Sequence, residues 1–180
     1  MAAAELLETG GLQAITLRAV GQKIGMTRTT PYRHFVDKEH LLAALATEYF
    51  VQLEAAMVNA VNQQQKPLSR LESMMHAYAD FVLVNPARYR LMLGREVRYE
   101  NHPDLYAAVR QVFHRTVEAV TTCQEIDELP KQDASQLAAL VFCSVHGLMD
   151  IALAGYLTKS KGFDAKELIG LLLTNLKSGA

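Results

Sequence analysis

TLRAVGQKIGMTRTTPYRHFVDKEHLLAAL, residues 16–45, decides the reading of this chain. Thr16 is placed to cap a helix, with Ile15 and Val20 spaced as a hydrophobic staple across its first turn. Leu17, Val20 and Ile24 recur at helical spacing, and Gly25 can take the left-handed conformation that ends a helix. Thr27 can cap a short following helix through Phe35, and Asp37, with Val36 and Leu41 as its staple, opens a longer one to about Gln64. Two short helices joined by a tight glycine turn have helix-turn-helix spacing. In that motif the second helix enters the major groove while its neighbours hold phosphates. Residues 16–38 carry Arg18, Lys23, Arg28, Arg33 and Lys38 against the single acid Asp37, in a chain whose net charge is −1. The positive charge is therefore local to the motif, as DNA contact requires.

Outward from this stretch the punctuation stays helical. A first helix is expected to end at Gly10-Gly11. Ser69 with Glu72 fits a capping box opening a helix to about Val84, and Asn85-Pro86 combines a cap with a proline in the first helical position. His102-Pro103 opens another helix reaching about Gln124; Asp133 with Gln136 and Asp164 with Glu167 are further cap pairs. A loop near 125–132 and a glycine-containing turn near 159–163 separate the last elements, and NQQQKP at 62–67 reads as a connector. The expected fold is all-α, about nine helices: a three-helix helix-turn-helix domain over 1–45 and a helical ligand-binding and dimerisation domain over 46–180.

Several classes of function fall away. Cys123 and Cys143 lie far apart without a CxxC pairing, which suggests neither a disulfide framework nor a zinc site. The opening MAAAELLETGG has no apolar core of a signal peptide, so a cytoplasmic protein is expected. Leu137–Leu157 is long enough to span a bilayer, but His146 and Asp150 lie in its middle, where ionisable groups are costly in lipid, and a buried helix is expected instead. No P-loop, HExxH or nucleophile elbow is present; neither enzyme chemistry, a cofactor nor a metal is expected.

The run GMTRTTPYRHFVDKEHLL resembles the signature of the TetR family of bacterial repressors, in which a glycine turn leads to Tyr-x-His-Phe and, three residues on, Lys. Here these are Gly25, Tyr32, His34, Phe35 and Lys38. The resemblance implies that Arg28, Thr29 and Thr30 face bases, with Pro31 near the groove floor. An Arg can bond a guanine bidentately and a Thr methyl can touch a thymine methyl. It further implies that Tyr32, His34 and Lys38 hold phosphates, Lys38 from a helix N-terminus, and that Thr16 and Arg18 meet backbone at the start of the second helix. Thr27 and Arg33 complete the DNA-facing set, though Arg33, like Lys23, reads equally well as a solvated charge. His34 taken alone reads as a buried, hydrogen-bonded histidine. Leu17, Val20, Ile24 and Phe35 form the expected small core. Gly21 stands where the family usually has Ala, and a mid-helix Gly costs about 1 kcal/mol relative to Ala.

YADFVLVNPARYRLMLG (78–94), HPDLYAAVRQVF (102–113) and SVHGLMDIALAG (144–155) resemble a C-terminal domain of the same family named for a Trp-His-Gly signature, with Val145 in place of Trp. The helices over 134–157 and 164–176 are apolar too widely for one covered face, so each is expected to meet its symmetry mate in a homodimer. Met74, Tyr78, Phe81, Met92, Tyr106, Val109, Phe113, Phe142, His146 and Met149 are the candidates to line a cavity for a small, largely apolar effector; at helical spacing such residues also read as plain core. The function expected is that of a repressor which binds a double-stranded palindromic operator as a dimer and is released by that effector.

Overall fold

Thr16 opens its helix as the spacing predicts: its hydroxyl accepts from the Ala19 N–H at 3.0 Å and its backbone is extended. The computed structural model that shows this describes residues 2–25, 34–61, 66–157, 162 and 164–177. Among them are eight α-helices and one 3-10 turn, with no strand. They are α1 (Ala2–Ala14), α2 (Leu17–Lys23), α3 (Lys38–Val61), α4 (Pro67–Val84), α5 (Pro86–Leu93), α6 (Pro103–Glu125), α7 (Ala134–Leu153) and α8 (Ala165–Asn175), with the 3-10 turn at Tyr99–Asn101. The helix expected from Thr27 lies outside the described residues up to Arg33; His34 and Phe35, at its end, are not helical.

Most of the caps hold. The carboxylate of Asp133 accepts the Gln136 N–H at 2.8 Å, and that of Asp164 accepts the Lys166 and Glu167 N–H groups. Asp37 takes the His40 N–H at 2.9 Å and lies equally close to the His40 ring, which together hold its carboxyl below the usual carboxylate range. Gly11 (φ 65°, ψ −169°) leaves the helical conformation where the first helix is expected to end, and a second short helical stretch beyond it continues α1 to Ala14. Three expectations need correction. Asn85 stands at the start of α5, but its side chain makes no capping hydrogen bond. Val36 is 77% exposed, too open to staple against Leu41. α4 begins at Pro67, ahead of Ser69, and its Leu68 N–H donates to the Glu128 carboxylate at 2.8 Å.

The chain forms two compact units. Met1–Val51 and Asn85–Val109 make the first; Gln52–Val84 and Arg110–Ala180 make the second. In the first, Leu7, Ile15, Leu42, Tyr49 and Leu91 are almost wholly buried. Arg88 bonds Glu8 at 2.9 Å and lies over the Tyr49 ring at 5.0 Å, joining α1, α3 and α5. Burial pushes the Tyr49 hydroxyl up to about 12. In the second, α4 packs on α7 and α8 around Leu71, Met75, Leu137, Met149 and Ile169. Lys166 adds an ion pair to Asp80 at 2.7 Å, and His76 lies 3.2 Å from the Lys166 carbonyl. By length and composition α3 and α7 are apolar enough to cross a membrane; half of the relevant window in α3 is buried, and 28% of that in α7.

Candidate nucleic-acid interface and effector region

The helix-turn-helix begins with α2, whose Leu17 and Gly21 are buried and whose Arg18 is exposed. Gly25 has φ +67°, the left-handed turn that the sequence requires after Ile24. Of the small expected core, Leu17 is buried, Val20 and Phe35 are half-buried, and Ile24 is 47% exposed. Thr27, Arg28, Thr29, Thr30, Pro31, Tyr32 and Arg33 lie outside the described residues.

On the far side of that segment His34 is exposed, which sets aside its reading as a core histidine. Lys38 starts α3, and its Nζ donates to the Leu12 carbonyl of α1 at 2.9 Å. An ammonium has three donors, so this bond leaves two for other acceptors. Thr16, Arg18, His34 and Lys38 thus lie on the described residues that flank segment 26–33 in the chain. Lys23 is engaged by Glu5 of α1 at 2.8 Å, a link between helices rather than a free charge.

Just behind Lys38 is an arrangement that local sequence does not announce. Glu39 Oε1 accepts the Arg98 backbone N–H at 3.2 Å and lies 3.4 Å from His102 Nε2. First the Arg98 N–H and then the His102 ring hold the Glu39 carboxyl below the usual carboxylate range. The His102 ring also meets His40 edge to face, with centroids 4.9 Å apart. The clasp brings together residues more than fifty positions apart, and the only hint in the sequence is the acidic first turn after Asp37.

The candidate effector residues fall into two groups. Met92 and Val109 line a cavity of about 500 Å³ in the first unit, at α5, the segment after it and the start of α6. Tyr106 lies on exposed surface, its ring stacked on Tyr99 at 6.0 Å and 5°. In the second unit Tyr78, Phe113, Phe142 and His146 form one aromatic cluster. Phe142 lies edge to face with Tyr78 at 5.4 Å and with Phe113 at 6.4 Å, and stacks on His146 at 6.0 Å. The Tyr78 hydroxyl is 2.7 Å from His146 Nδ1. Burial holds the His146 ring below its ordinary value, and Asp150 partly offsets this. Met149 is wholly buried, Phe81 is half-buried, and Met74 borders a smaller cavity of about 220 Å³ between α4 and α6.

Comparison with known proteins fits this layout. Residues 1–45 match the family described as bacterial regulatory proteins, tetR family, and residues 71–176 match a tetracyclin repressor-like C-terminal domain. Among curated relatives, the nucleoid occlusion factor SlmA of Aliivibrio fischeri is 29% identical over 116 residues, covering 63% of this chain and 58% of that protein. The uncharacterized HTH-type transcriptional regulator YobS of Bacillus subtilis is 30% identical over 92 residues, covering 51% and 48%. This chain therefore spans less than two thirds of the length of these relatives. Among solved structures, a protein of unknown function from a Rhodococcus species superposes with a TM-score of 0.85 at 27% identity, covering 97% of this chain and 89% of that one. The TetR family transcriptional regulator PfmR from Thermus thermophilus gives 0.70 at 19% identity, covering 97% and 94%. With more than half its length matched to the C-terminal domain and its first 45 residues to the DNA-binding one, the chain belongs to the TetR family of helix-turn-helix transcriptional regulators.

Proposed function

We propose that this regulator is a cytoplasmic repressor that binds a palindromic operator as a homodimer and is released by a small, largely apolar effector. The observation that carries the DNA half is the frame around residues 26–33. A capped α2 with exposed Arg18 leads in, Gly25 turns the chain, and His34 and Lys38 follow. Arg28, Thr29 and Thr30, with Pro31, take the base-facing places, while Tyr32, His34, Lys38, Thr16 and Arg18 hold backbone. Thr27 and Arg33 flank them. Two weak half-sites need coupling, and linking them raises avidity by about 10² to 10⁴. The apolar exposed residues Leu140 and Ile151 on α7 and Leu171 on α8 supply a surface for the partner.

The effector half rests on the Met- and aromatic-rich residues of 70–150, and on coupling of about 1–3 kcal/mol, enough for a 5–150-fold change in DNA affinity. The C-terminal half is placed in the Trp-His-Gly subgroup on its sequence stretches alone. Selection of bound sequences from a random DNA pool tests the reading. Recovery of an inverted repeat supports it, and recovery of no preferred sequence counts against it. A second reading, a DNA-binding protein without an effector, draws on the mutual packing of Tyr78, Phe113, Phe142 and His146.

A further inference from the structure

Phe50, Leu91, Val97 and Leu105 are each buried and wall the cavity of about 500 Å³ in the first unit. That volume lies within the roughly 300–1,000 Å³ typical of small-molecule sites. Arg95 and Arg98 line the same cavity, and both are exposed. Neither guanidinium is in an ion pair with a described residue. One carboxylate, Glu100, shares the lining. The cavity thus has an apolar floor and a wet rim with two cations and one anion. Such a shape suits an amphiphile whose tail leaves water while its head stays at the rim. A guanidinium fork matches a carboxylate bidentately and keeps its charge at any physiological pH. Glu100 disfavours a dianionic head such as a phosphate monoester by like-charge repulsion, so the fitting head is a monoanion.

The segment that carries both arginines is built for its path. A Cβ on Gly94 would meet the Arg90 carbonyl oxygen at 2.6 Å and the Glu96 carboxylate closer still, so only glycine admits this turn out of α5. The turn leads to Arg98, whose backbone N–H is the one that Glu39 accepts.

We propose that this cavity binds a small monocarboxylate with an aliphatic or aryl tail, the tail on Phe50, Leu91 and Leu105 and the carboxylate between Arg95 and Arg98. It is a site distinct from the aromatic cluster around Phe142. Its regulatory consequence rests on the repressor reading above: the bound carboxylate draws on the Arg98 segment, and through Glu39 on the first turn of α3, where Lys38 sits.

Calorimetric titration of the full chain without DNA tests the site, using octanoate, octanol and acetate as probes. Octanoate binds once per chain. Octanol lacks the charge and acetate lacks the tail, and each binds about tenfold more weakly or worse. The pair Arg95→Gln and Arg98→Gln together weakens octanoate about tenfold and leaves octanol unchanged, with circular dichroism showing an intact helical fold. Val109→Trp, on the half-buried wall, weakens octanoate and octanol alike. Equal affinity for octanoate and octanol, octanoate affinity unchanged in the double variant, or no octanoate binding by the folded chain overturns the proposal. Since no DNA is present, a failed operator selection sinks the regulator reading without touching this site, and a failed titration sinks the site alone.

Discussion

Lys38 Nζ donates to the Leu12 carbonyl at 2.9 Å, tying the residue proposed to grip phosphate to the last turn of α1. The bond fixes where the ammonium sits before DNA arrives, so less side-chain freedom is lost on binding. It also means that Lys38 has a structural task of its own.

The first prediction separates these tasks and the roles within the motif. Lys38→Ala should weaken binding to all sequences alike and lower the salt slope by about one unit for each phosphate no longer neutralised. It should also destabilise the chain by about 1–2 kcal/mol, because the partly buried Leu12 carbonyl loses a charged donor. Arg28→Ala should relax preference at one base pair of each half-site, a loss of about 1–3 kcal/mol of discrimination. Binding to a library of operator variants at several salt concentrations, with thermal melts, reads all of these. A changed base preference in Lys38→Ala beside an unchanged one in Arg28→Ala would reverse the assignments.

A second prediction concerns the clasp between Glu39 and Arg98. The folded Glu39 carboxyl is held below its ordinary value, so its contribution is present above that value and lost as pH falls through the depressed one. The Arg98 amide should therefore be protected from hydrogen exchange at neutral pH and lose protection only in acid, below the usual carboxylate range. Glu39→Gln keeps a carbonyl acceptor and should retain partial protection at every pH, without the acid transition. Glu39→Ala should abolish it. An Arg98 amide that exchanges equally fast in parent and Glu39→Ala would remove the clasp from the account.

His146 supplies a third. Its ring is held below its ordinary value by burial, so the neutral form belongs to the folded state. For a group depressed in this way, stability is full above the unfolded value near 6.5 and falls as pH drops through the folded one. With the Tyr78 hydroxyl donating to neutral Nδ1, Tyr78→Phe should cost about 1 kcal/mol and raise the His146 value, since the lone pair is then free to take a proton. Asp150→Asn should lower it further by removing the charge that favours protonation. NMR titration of the imidazole in the three proteins gives the order; an unmoved midpoint in Tyr78→Phe would show that the hydroxyl is not the donor.

Local grammar was legible because its causes are local. Thr16, Asp133 and Asp164 cap the helices their spacing assigns, and Gly25 takes the left-handed turn, since each needs only neighbours a few residues away. Ser69 failed as a cap for the opposite reason. The true start of α4 is served by Glu128, sixty residues on, and no local pattern reports such a partner. The effector candidates show the same limit. Met92 and Val109, both among the candidates, line one cavity, but Arg95 and Arg98, which line it too, look in sequence like ordinary surface charges after a helix.

The last prediction concerns the homodimer. On α7 the exposed positions include Leu140, Cys143, Gly147 and Ile151, which recur at helical spacing, and on α8 they include Leu171. Leu140 is 51% exposed and Leu171 57%, whereas the opposite faces bury Val141, Val145, Ile169 and Leu173. One face of each helix is thus filled by this chain's own core, and the other presents leucine to water. Leu171→Glu places a charge on that outer face, where a substitution in the monomer alone should change stability by no more than about 0.5 kcal/mol. In a dimer the same charge would be buried without a partner, at a cost of several kcal/mol. The variant should therefore sediment as a folded monomer with a melting curve close to that of the parent chain at low concentration. Its affinity for a full operator should fall toward that of a single half-site, while half-site affinity is unchanged. Leu172→Glu, at a half-buried position, should by contrast lower stability as well. A Leu171→Glu protein that sediments as an intact dimer would move the interface off α8 and leave its exposed leucine without a role.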